Sequence, residues 1–300
     1  MAITAKDVQA LREMTGVGMM DCKKALTEAE GNMDKAIEIL REKGLAASQK
    51  KAGRIAAEGM AYAAVIDGVG VVVEVNAETD FVAKNDKFVD FVKGVAATVA
   101  ANKPADLDAL MACKYAGTDL TVTEQQQEMV LVIGENIKVR RFAFFTEGTC
   151  VPYIHAGGKI GVLVNLDVTG GIDATEIGKD VAMQIAALNP RFWDKSQVTQ
   201  DVLDEEKKIM MVQMENDPKM AGKPEKVREN IVLGKLNKFY AENCLLQQEF
   251  VKDGSMSVEQ YIASSAKALG GTVTFKDAYR FAKGEGIEKK QENFAEEIAK

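Results

Sequence analysis

An aromatic side chain flanked by charged residues, Phe81, is the residue of this sequence best suited to act on another molecule. It follows Asp80 and comes shortly after an apolar, strand-like run from Val71 to Val75. A ring in that position can serve as a wedge that enters a partner's pocket, because aromatic side chains bring large contact area at little entropic cost. The alternative is that the ring turns back into the protein core, as most phenylalanines after a strand do.

Residues that carry out covalent chemistry are sparse. His155 is the only histidine, and no Gly-x-Ser-x-Gly motif presents a nucleophilic serine. Residues 157–159 read Gly-Gly-Lys but lack the spacing of a phosphate-binding loop, which indicates a hairpin turn. The four cysteines form no Cys-x-x-Cys pair, so no zinc site is expected. The sequence predicts a protein that is not an enzyme, without catalytic residues, metal ligands or a cofactor. An unrecognised enzyme is an alternative.

Composition and charge favour protein partners. The 300 residues, with 47% apolar and 28% charged, suit roughly two folded domains. A net charge of −7 disfavours a broad surface for nucleic acid or membranes. The first residues lack the blocks of a signal peptide, and no apolar run approaches the ~18 residues that suggest a membrane span. We therefore expect a cytoplasmic protein without direct contact to nucleic acid or membranes.

The first 45 residues carry the signals of three short helices. Thr4 and Asp7 form a capping-box pattern at the start of the first, and Asn32 is placed to cap the third. A bundle similar to a ubiquitin-associated domain is therefore predicted for residues 1–45, with a linker at residues 46–56.

Two adjacent methionines, Met19 and Met20, begin the second helix. Only one of them is expected to face the bundle core. The other suits a partner contact, because methionine fits irregular surfaces. A single exposed methionine without a function is the alternative.

Beyond the linker the sequence repeats a pattern of strand, hairpin, strand and helix. The copies span residues 57–146 and 147–284, and they predict an α+β class with a duplicated core of antiparallel sheets. The second copy carries an inserted helical hairpin at about residues 201–244. Residues 285–300 are predicted to form a C-terminal helical module.

The two copies differ in length between strand and helix. Gly70 and Gly161 lie 91 positions apart in the matching strands, whereas Pro104 and Pro190 lie 86 apart after the matching helices. The first copy therefore carries five additional residues, which fall near Phe81. Because a loop lengthened in one copy is not required by the shared fold, the difference favours the wedge.

The sequence around Phe81 resembles the Thr-Asp-Phe-Val signature of the bacterial elongation factor Ts family. Further stretches also resemble that family, so that the similarity covers nearly the whole chain. The matching stretches are residues 11–26, 79–85, 134–141, 153–164 and 284–289.

The resemblance implies a guanine-nucleotide exchange factor for the translational GTPase elongation factor Tu, bound in its GDP-bound and nucleotide-free states. It implies that residues 79–82 enter the GTPase near its magnesium site. These residues are Thr79, Asp80, Phe81 and Val82. Phe81 would wedge between two partner helices, so that the metal ligands are displaced and GDP leaves.

The resemblance also implies contacts outside this loop. Met19, Met20 and Lys23 would touch the nucleotide-binding domain, and His155 would meet another domain of the partner. Ala156 stands where a glycine is frequent in the family. A homodimer is possible, and the alternative function is that of a ubiquitin-associated-like adaptor or ribosome-associated scaffold without exchange activity.

Overall fold

The computed structural model describes residues 3–217 and 224–288, which fold into two compact units. One unit contains the described parts of Met1–Thr146, Pro152–Leu163 and Phe281–Lys300, and the other contains Glu147–Val151 and the described parts of Val164–Arg280. Both units mix helices and strands, which confirms the predicted α+β class. The helix predicted at residues 289–299 lies outside the described residues.

Three helices form the predicted N-terminal bundle. They are α1 (Ala5–Thr15), α2 (Met19–Glu28) and α3 (Met33–Lys51). The Thr4 hydroxyl accepts a hydrogen bond from the Asp7 N–H, and the Asp7 carboxylate accepts one from the Thr4 N–H at 2.8 Å. The Asn32 side chain accepts from the Lys35 N–H at 3.0 Å. The buried residues of the bundle include Val8, Leu11, Cys22, Leu26 and Leu40.

The third helix is longer than predicted, and its C-terminal half lies against α6 (Val122–Ile133). Gly44 allows the close approach, because a Cβ there would lie 3.2 Å from the Gln127 carbonyl oxygen. The predicted linker at residues 46–56 is wrong in its first part, which is helical through Lys51. Alanines favour the helix, and α6 gives it a surface on which to pack.

The first copy of the repeat builds an antiparallel sheet in the order β1-β2-β3. The strands are β1 (Glu58–Ile66), β2 (Val69–Ala77) and β3 (Lys138–Phe145). Asp67 and Gly68 join β1 to β2, both with positive φ, as a tight hairpin requires. The sheet packs against α4 (Asp86–Asn102), with α5 (Leu107–Ala112) and α6 beside it. The shared core includes Val71, Val73, Val75, Phe88, Phe91 and Val95.

The second copy begins with the same elements: β4 (Thr149–His155), β5 (Ile160–Thr169) and α7 (Thr175–Leu188). Residues 78–85 join β2 to α4, whereas only residues 170–174 join β5 to α7. The loop that carries Phe81 is therefore three residues longer than its counterpart. α4 is also three residues longer than α7, and β5 extends one residue further than β2, which accounts for the other two. The expectation that all five additional residues fall near Phe81 is therefore wrong.

The predicted helical hairpin is present as α8 (Gln200–Glu215) and α9 (Glu225–Asn243). Its buried contacts come from Met210, Met214, Leu236 and Phe239. The chain continues through the hairpin of β6 (Glu249–Phe250) and β7 (Asp253–Ser257), α10 (Val258–Ala268) and β8 (Thr272–Ala282). The last strand lies beside β5, in a sheet of order β4-β5-β8.

The turn between β4 and β5 holds Ala156 in the left-handed backbone region, with a φ of 48°. An L-residue costs about 1–2 kcal/mol there, and glycine avoids that cost while adding freedom to the unfolded chain. We expect Ala156→Gly to raise the free energy of unfolding by up to about 1 kcal/mol, measured by urea denaturation. Ala263→Gly, on the exposed side of α10, should instead lower it by about 1 kcal/mol. If Ala156→Gly were less stable than the wild type, the backbone at Ala156 would not carry the proposed strain.

Candidate functional site

Phe81 is exposed to solvent. It is 80% exposed, more than any other large apolar residue in the described ranges. Phe88 and Phe91, which follow it on α4, are fully buried in the core. The alternative in which the Phe81 ring turns into the core is therefore wrong for this structure.

The N-terminal end of the Phe81 loop is fixed by a carboxylate. Oε2 of Glu135 accepts hydrogen bonds from the backbone N–H groups of Glu78 and Thr79, at 3.1 and 3.0 Å. Oε1 of the same residue accepts from the Thr79 hydroxyl at 2.6 Å. Thr79 is half-buried. This predicted contact residue is thus part of the base of the loop.

The C-terminal end of the loop is fixed by burial. Val82 is buried in the core, and it begins a short 3₁₀ turn, Val82–Lys84. Asn85 then caps α4, since its side-chain oxygen accepts from the Lys87 N–H at 3.0 Å. Val82 therefore anchors the loop, whereas Asp80 and Phe81 are exposed.

The predicted contact residues of the N-terminal bundle are also on its surface. Met19 is 46% exposed, Met20 is 65% exposed, and Lys23 is exposed as well. The expectation that one methionine faces the bundle core is wrong, because Cys22 and Leu26 supply the buried side of α2. Both methionines are therefore accessible to a partner.

One hydrogen bond links the turn before these methionines to the element that follows the Phe81 loop. Nζ of Lys87, in the first turn of α4, donates to the Gly16 carbonyl oxygen at 3.0 Å. Gly16 has a φ of 68°, and a Cβ at this position would lie 2.9 Å from Nζ of Lys87. The start of α2 and the start of α4 are thus held close together.

His155 lies at the end of β4 and is exposed. Its Nδ1 lies 3.1 Å from the Tyr153 hydroxyl, and the two rings are 6.1 Å apart. Within the described part of the chain, these side-chain contacts are to Tyr153 and not to the Phe81 loop. The structure therefore places His155 apart from the network that holds the loop.

Residues 3–217 and 224–288 contain no group of three or more His, Cys, Asp or Glu side chains that could hold a metal ion. None of the described helices is both long and apolar enough to cross a membrane.

Comparison with known proteins decides the family. A family model described as Elongation factor TS matches residues 78–285, beginning at the Phe81 loop. The elongation factor Ts of Syntrophotalea carbinolica is 48% identical, over 100% of this chain and 99% of that protein. That of Trichlorobacter lovleyi is 49% identical, over 100% and 98%. That of Clostridium kluyveri is 48% identical, over 99% and 98%.

The chain belongs to the elongation factor Ts family. Membership places it among the elongation factors of protein biosynthesis. The matched region contains the Phe81 loop and the stretch at residues 134–141, whose Glu135 holds that loop. The sequence alone assigns Glu135 no role, because its partner Thr79 lies 56 positions away.

A second carboxylate, Glu74, was also missed by sequence reasoning. It is fully buried on β2, where Oε1 accepts from Arg140 at 2.9 Å and from the Gly284 N–H at 2.7 Å, and Oε2 accepts from Arg141. Glu74 thereby ties Gly284, the first residue of a family-like stretch, to the first sheet. A charged residue inside the apolar Val71 to Val75 run was the available signal.

Burial and hydrogen bonding shift the pKa of Glu74 in opposite directions. Burial raises its pKa, since the charged form is desolvated. Hydrogen bonds from Arg140, the Gly284 N–H, Asn76 and Arg141 together lower it by more. The pKa of Glu74 therefore lies below its ordinary value, and the residue is ionised at neutral pH.

Proposed function

We propose that this member of the elongation factor Ts family is a guanine-nucleotide exchange factor for elongation factor Tu. It binds the GDP-bound and nucleotide-free GTPase, displaces magnesium and promotes the release of GDP, so that GTP can bind. The observation that carries the proposal is the 80% exposure of Phe81 on a loop that is fixed at both ends.

The exposure of Phe81 supports a binding role on energetic grounds. Burying a phenylalanine side chain contributes about 1.5–3 kcal/mol, which the folded chain leaves unused at this position. A partner that encloses the ring would gain that contribution. Because the loop ends are already fixed, little additional ordering is needed when the ring inserts.

Exchange requires only a difference in binding. A factor that binds the nucleotide-free GTPase more tightly than the GDP-bound form weakens GDP binding by the same ratio. A ratio of about ten-thousandfold corresponds to about 5.5 kcal/mol, more than one ring supplies. Other contacts must therefore supply part of this free-energy difference. The candidates are Asp80, Met19, Met20, Lys23 and His155.

The proposed mechanism involves no covalent step, so the chain needs no catalytic side chain, metal or cofactor of its own. Phe81 enters between two helices near the magnesium site of the GTPase, while Asp80 hydrogen-bonds nearby. The cycle takes place in the cytoplasm. The partner of this chain is a protein, and the chain binds neither nucleic acid nor a membrane directly.

The proposal predicts accelerated nucleotide release. Elongation factor Tu loaded with a fluorescent GDP should lose it more than about tenfold faster when saturated with this chain, equivalent to about 1.4 kcal/mol in the barrier. Stopped-flow fluorescence with excess unlabelled GDP measures the rate. An unchanged release rate at saturation would refute exchange activity. Binding without acceleration would support the adaptor or scaffold.

A further inference from the structure

We infer that Glu135 is a positioning residue that keeps Phe81 in the conformation required for insertion into the partner. The inference rests on the proposed exchange function. Glu135 itself is half-buried, and its two carboxylate oxygens receive three hydrogen bonds from Glu78 and Thr79. Three hydrogen bonds thus join one side chain to the base of the loop and hold it firmly.

Residues 78–79 and 135–136 accept hydrogen bonds from each other, and we call this set of contacts the clamp. While Glu135 binds the backbone of residues 78–79, the Glu78 carboxylate accepts from the Asn136 N–H at 2.6 Å. Asn136 in turn donates from Nδ2 to the Arg54 carbonyl oxygen at 2.8 Å. The guanidinium of Arg54 lies 3.5 Å from the Glu78 carboxylate. Residues 78–79 and 135–136 therefore hold each other in a closed set of contacts.

This clamp limits the part of the loop that is free to move. Val82 is buried and begins a helical turn, so the chain is fixed again one residue after Phe81. Only Asp80 and Phe81 lie between the clamp and that anchor. Loss of the Glu135 side chain would free the backbone N–H groups of residues 78–79 and the Thr79 hydroxyl, while the Glu78 carboxylate would stay bound to Asn136. A partner would then have to order the freed backbone when the ring inserts.

A direct contact between Glu135 and the partner explains the geometry less well. Both of its oxygens already accept hydrogen bonds from the loop. The side chain would have to give up those contacts before it could bind a cation on another protein. Its effect on exchange should therefore pass through Phe81.

A double-mutant cycle on stimulated GDP release tests this route. We expect Glu135→Ala to slow release by about tenfold at saturating concentration in the wild-type background, but by less than about twofold in a Phe81→Ala background. The remaining contacts should leave measurable stimulation in Phe81→Ala. Equal effects in the two backgrounds would overturn the inference. Thr79→Val, which removes only the hydroxyl donor, provides a milder variant if Glu135→Ala does not fold.

A conservative variant separates geometry from charge. In Glu135→Gln, the amide oxygen can accept from the two backbone N–H groups while the amide nitrogen donates to the Thr79 hydroxyl. We therefore expect Glu135→Gln to retain exchange within about threefold of wild type. If Glu135→Gln were as slow as Glu135→Ala, the charge of Glu135 would act on the partner directly and the positioning role would be refuted.

A second readout requires no partner. The chain has a single tryptophan, Trp193, so Phe81→Trp in a Trp193→Phe background reports on the loop alone. Time-resolved anisotropy should show more fast motion of this probe after Glu135→Ala and no change after Glu135→Gln. Unchanged motion after Glu135→Ala would overturn the inference. If the wild-type chain did not accelerate GDP release, the proposed function would fail, and the anisotropy would still decide whether Glu135 orders the loop.

Discussion

Replacement of Phe81 by alanine should slow stimulated GDP release by about tenfold or more, equivalent to a loss of about 1.4 kcal/mol or more in coupling. The thermal unfolding midpoint should hardly change, because an exposed ring contributes little to the core. Fluorescent GDP release at saturating concentration and differential scanning calorimetry measure the two quantities separately. Normal exchange by Phe81→Ala would remove the wedge from the mechanism.

Phe88 provides the matched control for this experiment. It lies seven positions further along the chain and is fully buried against the first sheet. Phe88→Ala should lower the free energy of unfolding by about 3–5 kcal/mol, since it leaves a cavity in the core. The same substitution at the two positions should therefore affect exchange in one variant and stability in the other. A large loss of stability in Phe81→Ala would show that the ring packs in the core.

Loss of the Glu74 carboxylate should have the largest effect on stability outside the apolar core. Glu74→Gln leaves Arg140 and Arg141 without their buried charge partner and weakens the contact to the Gly284 N–H. Breaking a buried pair in this way costs about 3–5 kcal/mol, and the partial exposure of the arginines places the loss near about 3 kcal/mol. Urea denaturation with a fitted m value measures it.

An exposed pair serves as the control for Glu74. Nζ of Lys114 lies 3.1 Å from the Asp119 carboxylate, whose side chain is 99% exposed. Asp119→Asn removes the same charge from a pair surrounded by water, so no measurable loss of stability is expected. If Asp119→Asn and Glu74→Gln lowered the free energy of unfolding equally, the contacts of Glu74 with Arg140 and Arg141 would not contribute to stability as proposed.

The same carboxylate predicts a dependence of stability on acid. Because the folded-state pKa of Glu74 is lowered, the unfolded chain takes up this proton more readily as the pH falls. The contribution of Glu74 is therefore complete above its ordinary pKa of 4.5 and is lost as the pH falls toward the lower folded-state value. The free energy of unfolding should fall less steeply below about pH 5 in Glu74→Gln than in wild type. Parallel profiles would contradict the lowered pKa.

Local signals in the sequence predicted much of the fold. The capping pattern at Thr4 and the cap at Asn32 located helices α1 and α3, because these hydrogen bonds join residues three positions apart. The unequal lengths of the two copies drew attention to Phe81, whose exposure the structure shows. Further signals of the same local kind are the capping boxes at Thr121 and Ser257, which mark the starts of α6 and α10.

The features that sequence reasoning could not supply depend on contacts between distant residues. Glu135 meets Thr79 only after β2 and β3 have paired in the sheet. The helical extension of α3 to Lys51 likewise depends on α6, which lies much later in the chain. Pattern and propensity located the elements, whereas the sheet register and helix packing determine which polar groups meet.

The packing of α3 on α6 has a consequence for synthesis on the ribosome. Leu131 and Val132 of α6 pack against the bundle core, yet α6 is translated after α3, which ends at Lys51. At roughly 5–20 residues per second, the ~80 intervening residues take about 4–16 s to appear. The helices α1 to α3 can close their own core early through local contacts, but the outer face of α3 must wait for α6. During this interval, the nascent chain exposes an apolar surface that the finished protein covers.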